Sequence, residues 1–361
     1  MKMRKLVAHS LAVAATTVLS PLAVPAISFA AAPEGQAGIP ASGEKADADN
    51  QAVLDALKTL GQRPYHTLSP AEARLQPSFA DGVREVMRKQ GRPTAPPPGV
   101  TTQDIQIQGA AGMIPARVYR PENVKGPLPT IVYYHGGGWV LATIDTYDAS
   151  ARALAREAQA VVIAVEYRKA PEFKFPAQHD DALAAYKWAL ANAGTYRGDV
   201  REVALAGESA GGNLAIATAI AARDNKLQKP SQILAIYPIA GSDLNTPSYQ
   251  ANANAMPLNR AAMAWFLHHT TRGPADAADP RINLLAANLK GLPPVTLIQA
   301  SIDPLASEGQ ALASRLRSAG VTVTSRTYIG VTHEFFGADA VIRKAGEAQR
   351  FAGERLRANS R

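Results

Sequence analysis

The chain has 361 residues, and its 47% hydrophobic and 19% charged content supplies enough apolar material for a buried core, which excludes a mainly disordered protein. The absence of cysteine excludes disulfides, a thiolate nucleophile and cysteine-based metal sites. The net charge of +8 comes from scattered Lys and Arg residues without a basic run, so we expect no nucleic-acid partner.

The first 30 residues have the pattern of a secretory signal peptide. A basic segment at residues 2–5 precedes an apolar stretch that begins at residue 6, and small residues then lead to Ala30. We predict cleavage after Ala30, because Pro33 would follow a cut made after Ala32. A membrane anchor is the alternative, but the stretch is short for a bilayer span. The pattern therefore predicts a periplasmic or secreted protein that keeps no stable membrane span after cleavage.

The segment that follows divides into a leader and a helical block. Residues 31–50 are rich in Ala, Gly, Asp, Glu and Pro and lack apolar periodicity, which predicts a flexible leader. Apolar residues recur at helical spacing over residues 51–92, and Ser69 with the proline after it forms a helix start. A proline-rich break at residues 93–99 separates this block from the rest of the chain.

Strand-like and helix-like segments alternate from residue 100 to residue 361. The strand-like runs are Ile105–Ile107, Ala116–Tyr119, Thr130–Tyr134, Val161–Val165, Val203–Ala206, Ile233–Tyr237, Val295–Gln299 and Val321–Tyr328. The helical patterns are Ala149–Glu157, Ala177–Ala193, Gly211–Ala222, Asn259–His268, Glu308–Ala319 and Ala338–Arg357. This alternation predicts an α/β domain with a mainly parallel, eight-stranded sheet and helices on both faces. The first two runs alternate with polar residues, so we expect them to form an antiparallel edge.

Gly207-Glu208-Ser209-Ala210-Gly211 lies between a strand-like run and a helical pattern. This is the context of a nucleophile elbow, a turn so sharp that glycine is needed on both sides of the serine. The turn holds the Ser209 hydroxyl clear of the sheet and near a helix N-terminus, which favours developing negative charge. A plain strand–helix turn is the alternative, but the flanking strand and helix favour a nucleophilic serine.

His135-Gly136-Gly137-Gly138-Trp139 follows another strand-like run. Three consecutive glycines let backbone N–H groups approach a ligand without interference from side chains. A flexible turn and a phosphate cradle are the alternatives, but no Gly-Lys-Ser or Gly-Lys-Thr follows the glycines. Its combination with the serine elbow favours an oxyanion hole.

A nucleophilic serine needs a base and an orienting carboxylate. His333 lies just beyond the strand-like run that ends at residue 328, which favours it over the other six histidines. Asp303 follows the run that ends at residue 299 and is the predicted acid, with Glu308 as its competitor. The order Ser209, Asp303, His333 along the chain is that of α/β-hydrolases.

These motifs together resemble the bacterial hormone-sensitive-lipase family, also called family IV esterases, from about residue 57 to the C-terminus. The matching pieces are His135-Gly136-Gly137-Gly138-Trp139, Tyr167-Arg168-Lys169-Ala170-Pro171-Glu172, Phe175-Pro176-Ala177, Gly207-Glu208-Ser209-Ala210-Gly211-Gly212, Asp303-Pro304-Leu305 and His333-Glu334-Phe335-Phe336. The resemblance implies the α/β-hydrolase fold, with a helical cap formed by residues 51–92 and an insertion near residues 241–280. It also implies oxyanion donors from the backbone of Gly137, Gly138 and Ala210.

The resemblance implies hydrolysis of short- to medium-chain acyl esters, with a small-molecule ester as partner, and we expect no metal or organic cofactor. A homodimer stays open as the assembly state. Two other functions also remain alternatives, a non-catalytic ligand-binding protein on a hydrolase scaffold and a serine amidase or peptidase. The chain departs from the family pattern twice, because Glu208 stands where Asp is commoner and Glu334 replaces the usual Gly.

Overall fold

The computed structural model of the protein describes residues 43–358, so the predicted signal peptide and most of the predicted leader lie outside the described residues. Eight strands form one sheet in the order β1-β2-β4-β3-β5-β6-β7-β8. Their bounds are β1 Val100–Gly109, β2 Gly112–Pro121, β3 Leu128–Tyr134, β4 Val161–Val165, β5 Gly198–Glu208, β6 Ile233–Ile236, β7 Val295–Ile302 and β8 Val323–Thr332. The strand β2 pairs antiparallel with both of its neighbours, and every other pair in the sheet is parallel. The predicted sheet and its antiparallel edge are confirmed.

Some helices precede the sheet in the chain, others cover its faces, and others form an insertion between two of its strands. Their bounds are α1 Ala48–Thr59, α2 Pro70–Arg74, α3 Phe79–Lys89, α4 Asp148–Ala158, α5 Ala177–Asn192, α6 Ala210–Asp224, α7 Pro247–Ala251, α8 Arg260–Thr270, α9 Pro274–Ala278, α10 Ala306–Ser318 and α11 Arg343–Ala358. The helices α7, α8 and α9 lie between β6 and β7, where the sequence predicts an insertion. None of the helices within residues 43–358 is long and apolar enough to cross a membrane.

The period of two along the strands divides the core into two layers. In β3, Ile131 and Tyr133 pack on one face of the sheet with α1, α3, α4 and α11. Val132 and Tyr134 pack on the other face with α5, α6, α8 and α10. All five residues of β4 are buried, as a strand covered on both faces requires. The sheet is thus a rigid support whose strand ends carry the site.

The helical block predicted at residues 51–92 contacts both the sheet and the later insertion. The helix α1 begins at Ala48 and contacts β8, so the structured part of the chain starts before residue 51. The turn at Tyr65–Thr67 meets α8, where the rings of Tyr65 and Phe266 lie 6.2 Å apart. The Trp265 indole N–H donates to the carbonyl of Leu68 at 3.0 Å. The N-terminal block and the later insertion therefore contact each other.

Candidate active site

Ser209 occupies a sharp turn between β5 and α6. Its backbone φ of 55° and ψ of −117° place it in a conformation that L-residues rarely adopt. A Cβ on Gly207 would lie 2.2 Å from the carbonyl oxygen of Gly211, and one on Gly211 would lie 1.9 Å from that of Tyr134. Glycine on both sides of the serine is therefore a steric requirement, as the sequence predicted.

The structure brings the side chains of Ser209, Asp303 and His333 together at the carboxyl ends of the strands. His333 Nε2 lies 2.9 Å from Ser209 Oγ, and its Nδ1 lies 2.7 Å from Asp303 Oδ2. The other Asp303 oxygen accepts the backbone N–H of Leu305 at 2.8 Å. All three side chains are at most 4% exposed, so solvent does not compete for these hydrogen bonds.

Burial and neighbouring charges shift the pKa of His333 in opposite directions. Burial lowers the pKa of the imidazole, but the charge of Asp303 and its hydrogen bond outweigh burial and hold the pKa above its ordinary value. The carboxylates of Glu334 and Glu208 add to this increase. The arrangement thus stabilises an imidazolium, the form that a general base reaches after it takes a proton.

The glycine loop lines the same cavity as Ser209. Gly137 and Gly138 have φ values of 95° and 59°, and a Cβ on Gly138 would lie 2.2 Å from a ring carbon of Phe266. Ala210 is the first residue of α6, so its N–H has no acceptor within the helix. The N–H groups of Gly137, Gly138 and Ala210 remain candidates for binding an oxyanion.

The competing residues of the sequence analysis lie elsewhere. Glu308 is buried in α10 and accepts the backbone N–H of Ala240 at 2.8 Å, and burial raises the pKa of its carboxyl to about 8. Its hydrogen bonds do not involve His333. His135 is buried, stacks on Tyr167 at 4.4 Å and contacts the carbonyl of Gly136, while burial lowers its pKa to about 4. Both residues fit structural roles.

Glu208 supports the imidazole indirectly. Its carboxylate accepts the hydroxyl of Tyr133 at 2.6 Å and also the hydroxyl of Tyr237. The Tyr237 ring packs on the His333 ring at a centroid distance of 4.5 Å. Burial raises the pKa of Glu208 to about 7, against the effect of the hydroxyl donors. The carboxyl group of Glu208 thus orients an aromatic ring beside His333.

Glu334, the second departure, has a left-handed backbone with φ of 74°. Such a conformation costs about 1 kcal/mol or more for a non-glycine residue, which explains why glycine is usual at this position. Both oxygens of its carboxylate lie within 2.8 Å of the Tyr147 hydroxyl, and burial raises its pKa. The side chain therefore faces the site while the backbone carries strain.

A contact that no sequence pattern indicated holds the loop that carries His333. Asn50 is fully buried in α1, and its side-chain oxygen accepts the backbone N–H of Thr332 at 3.1 Å. Its amide N–H donates to the Thr332 hydroxyl at 3.0 Å. Nearby, Glu44 accepts the N–H of Gly330 at 2.8 Å. The predicted flexible leader therefore ends earlier than residue 50, and residues 44–50 belong to the fold.

A cavity of about 310 Å³ lies above Ser209. We call Ser209, Asp303, His333 and the loop at residues 136–138 the floor, of which Ser209, His333, Gly137 and Gly138 line the cavity. We call its upper wall the roof, which comprises the lining residues from Tyr65 to Arg84 and from Pro257 to Phe266. No residue of α1 lines the cavity, so only part of the predicted cap 51–92 faces the site. The roof residues gave no signal in the sequence that separates them from core positions.

Within residues 43–358 no group of three or more His, Asp or Glu side chains is arranged to hold a metal ion. A hydrogen-bonded serine, imidazole and carboxylate facing a cavity can perform acyl transfer.

Comparison with known proteins identifies the family. Residues 131–337, more than half of the chain, match the family described as alpha/beta hydrolase fold. The chain belongs to the bacterial hormone-sensitive-lipase-type α/β-hydrolases. This hydrolase is 38% identical over 280 residues to the carboxylesterase NlhH of Mycobacterium tuberculosis, covering 74% of its own chain and 87% of that protein. It is 33% identical over 302 residues to the ethyl acetate hydrolase of Pseudomonas putida, covering 82% and 92%.

Solved structures similar to this hydrolase are esterases as well. A thermostable esterase from Pseudomonas putida superposes with a TM-score of 0.80 at 31% identity, covering 90% of this chain and 99% of that one. An esterase from the archaeon Pyrobaculum calidifontis gives a TM-score of 0.79 at 34% identity, with coverage of 87% and 98%. The predicted α/β-hydrolase fold is confirmed.

Proposed function

We propose that this carboxylic ester hydrolase is a serine esterase that cleaves short- to medium-chain acyl esters through an acyl-enzyme on Ser209. The observation that carries the proposal is the line of hydrogen bonds from Asp303 through His333 to Ser209, which ends at the cavity. Relatives named carboxylesterase and ethyl acetate hydrolase support the reaction class.

In this mechanism Ser209 Oγ attacks the ester carbonyl while His333 Nε2 takes the hydroxyl proton. Asp303 holds the imidazole with Nδ1 protonated and stabilises its charged form. The bond from carbonyl carbon to alcohol oxygen then breaks, and the imidazolium returns the proton to the leaving alcohol. Water attacks the acyl-enzyme through the same base and releases the carboxylic acid.

The negative charge on the tetrahedral intermediate needs donors placed in advance. We assign this role to the backbone N–H groups of Gly137, Gly138 and Ala210, each worth on the order of 3 kcal/mol of transition-state stabilisation. The positive φ values of the two glycines and the helix N-terminus at Ala210 support the assignment.

The cavity volume supports small substrates. About 310 Å³ is at the lower end of the range for small-molecule sites, which is roughly 300–1,000 Å³. A series of p-nitrophenyl esters from acetate to palmitate measures the preference directly. We expect the highest kcat/KM between acetate and octanoate, and a maximum at palmitate would contradict the proposed substrate class.

Covalent trapping tests the nucleophile. A fluorophosphonate should label the protein once, with the modified peptide containing Ser209, and Ser209→Ala should abolish both labelling and ester hydrolysis. Ser78→Ala is a matched control, because Ser78 also lines the cavity but its hydroxyl contacts Asp81 and caps α3. This variant should keep the label. A label on any residue other than Ser209 would refute the assignment.

The same substrates separate the two alternative functions. A non-catalytic ligand-binding protein would bind p-nitrophenyl acetate without turnover. An amidase or peptidase would cleave p-nitroacetanilide, the matching amide, at a rate comparable with the ester. We expect turnover of the ester and a far lower rate with the amide, which has the poorer leaving group.

We propose in addition that the chain is exported and cleaved after Ala30, from the basic, apolar and small-residue order of its first 30 residues. Intact-mass analysis of the protein recovered outside the cytoplasm should show a chain beginning at residue 31. Ala30→Asp should prevent this cleavage. Retention of the uncleaved chain in the cytoplasm would contradict the proposal.

A further inference from the structure

The charges that line the cavity are unevenly compensated. Besides His333, the charged lining residues are Arg74, Arg84, Asp81, Asp145 and Glu334. Arg84 pairs with Asp81 at 2.6 Å, within the roof. Arg74 pairs with Glu172 at 2.7 Å and also donates to two backbone carbonyls. Both arginines are therefore already neutralised by carboxylates of the protein.

Glu334 differs from the other cavity acids. Asp145 is paired with Arg117 at 2.7 Å, whereas the hydrogen-bond partner of the Glu334 carboxylate within residues 43–358 is the neutral Tyr147 hydroxyl. His333 is its neighbour in the chain, but the Nδ1 of that imidazole is bonded to Asp303. The carboxyl group lines the cavity together with Ser209 and has lone pairs to spare, and within residues 43–358 no cationic side chain is hydrogen-bonded to it.

The backbone gives no reason for a glutamate at this position. Its φ of 74° is one that glycine adopts without strain, so the side chain is present despite the local conformation. Residues held in strained conformations concentrate at functional sites, and this one faces the cavity. The aromatic residues Tyr65, Phe79 and Phe266 line the same space, and aromatic rings attract cations placed over their faces.

We propose that Glu334 is a specificity-determining residue that binds a positively charged amine of the substrate, so that cationic esters are preferred over neutral esters of the same shape. This inference rests on the proposed esterase function. At a partly buried position such as that of Glu334, a carboxylate attracts a cation more strongly than it would at the exposed surface. The same charge should exclude esters that carry a carboxylate.

The test uses two pairs of esters that match in shape and differ in charge. Acetylcholine and 3,3-dimethylbutyl acetate differ on the alcohol side, and ethyl 4-aminobutanoate and ethyl pentanoate differ on the acyl side. The rate of acid release gives kcat/KM for each ester with the purified protein. We expect the cationic member of at least one pair to have the higher kcat/KM, by about tenfold, and Glu334→Gln to bring the ratio close to one.

A second variant and a charge control complete the design. Glu334→Gly relieves the left-handed backbone and should also bring the kcat/KM ratio of each pair close to one. Asp224→Asn changes the net charge equally at an exposed position outside the cavity and should keep the preference. Equal kcat/KM for both members of both pairs in the unaltered protein, or a preference that survives in Glu334→Gln, overturns the inference. Absence of hydrolysis of all four esters would instead refute the esterase proposal.

Discussion

The floor and the roof of the cavity are held in place by different kinds of contact. The floor and the loop that carries His333 depend on hydrogen bonds between residues that are 30, 124 and 282 positions apart in the chain. The short roof helices depend on capping contacts that span three residues, Ser69 with Glu72 and Ser78 with Asp81. The floor therefore forms only when the whole sheet is folded, whereas the roof helices start from local signals.

This difference implies that the floor and the roof have different functions. The floor can hold reacting groups within a few tenths of an ångström, because rigid strands position each loop. The roof joins its two parts through a few contacts, such as the Trp265 indole on the Leu68 carbonyl. We therefore expect changes in the floor to lower kcat and changes in the roof to alter which ester is accepted. Four predictions test this comparison, from the largest effect to the smallest.

Asp303→Asn should have the largest effect among the orienting residues. The amide removes the charge that stabilises the His333 imidazolium and favours the wrong tautomer, so we expect kcat to fall by about 10³- to 10⁴-fold. Glu308→Gln is the matched control, since Glu308 is the competing acid and burial raises its pKa to about 8. That variant should change kcat less than about threefold. An equal loss of kcat in both variants would contradict the assignment of Asp303, rather than Glu308, as the carboxylate that orients His333. Activity on p-nitrophenyl acetate and circular dichroism are measured together.

Asn50→Ala should affect the floor from a distance. The variant removes the side chain that holds Thr332 next to His333, so we expect kcat to fall about tenfold with little change in KM. Thr332→Val removes only the hydroxyl part of the contact. In a double-mutant cycle the two changes should be coupled by about 1 kcal/mol in unfolding free energy. Additive effects, or a change confined to KM, would contradict a positioning role for Asn50.

Local patterns in the sequence predicted the sheet and the positions of the site residues, because each strand is a short apolar run with a distinct ending. Ser209, Asp303 and His333 each follow a strand, and the ends of parallel strands meet at one edge. The contact of Asn50 with Thr332 could not be predicted in this way, since the two residues are 282 positions apart. The composition predicted a flexible leader up to residue 50, but residues 44–50 belong to the fold. Polar contacts hold these residues, and such contacts leave no apolar periodicity in the sequence.

The roof was less predictable than the floor for a physical reason. An apolar residue on a helix has the same periodicity whether it faces a cavity or the core, so Phe266 and Met263 gave no separate signal. In contrast, the capping contact of Ser69 uses only neighbouring residues and was predicted correctly. The sequence thus specifies how each roof helix begins but not what it faces.

Phe266→Ala should change the substrate preference of the roof. The ring contacts the glycine loop, and its removal enlarges the cavity above Ser209. We expect the preferred p-nitrophenyl ester to become longer, with each newly accepted methylene worth about tenfold in kcat/KM. Hydrolysis of the acetate should change only a fewfold. Leu75→Ala, at a residue that is 84% exposed, serves as the control and should keep the original profile. An unchanged acyl-chain-length profile in Phe266→Ala would contradict a role of the roof in substrate selection.

The smallest predicted effect is a shift of the pH profile caused by the charge of Glu334, a cavity residue next to His333. His333 must be neutral to accept the Ser209 proton, so kcat/KM should rise with pH as the imidazole loses its proton. Burial lowers the pKa of His333, while the carboxylates of Asp303, Glu334 and Glu208 raise it and together hold it above the ordinary value. Glu334→Gln removes one of these negative charges and leaves the contact with Asp303 in place. The acid limb of the pH profile for 3,3-dimethylbutyl acetate should therefore move to lower pH. An unmoved limb would mean that Glu334 is too well shielded to influence the base, and a limb at higher pH would reverse the sign of the interaction.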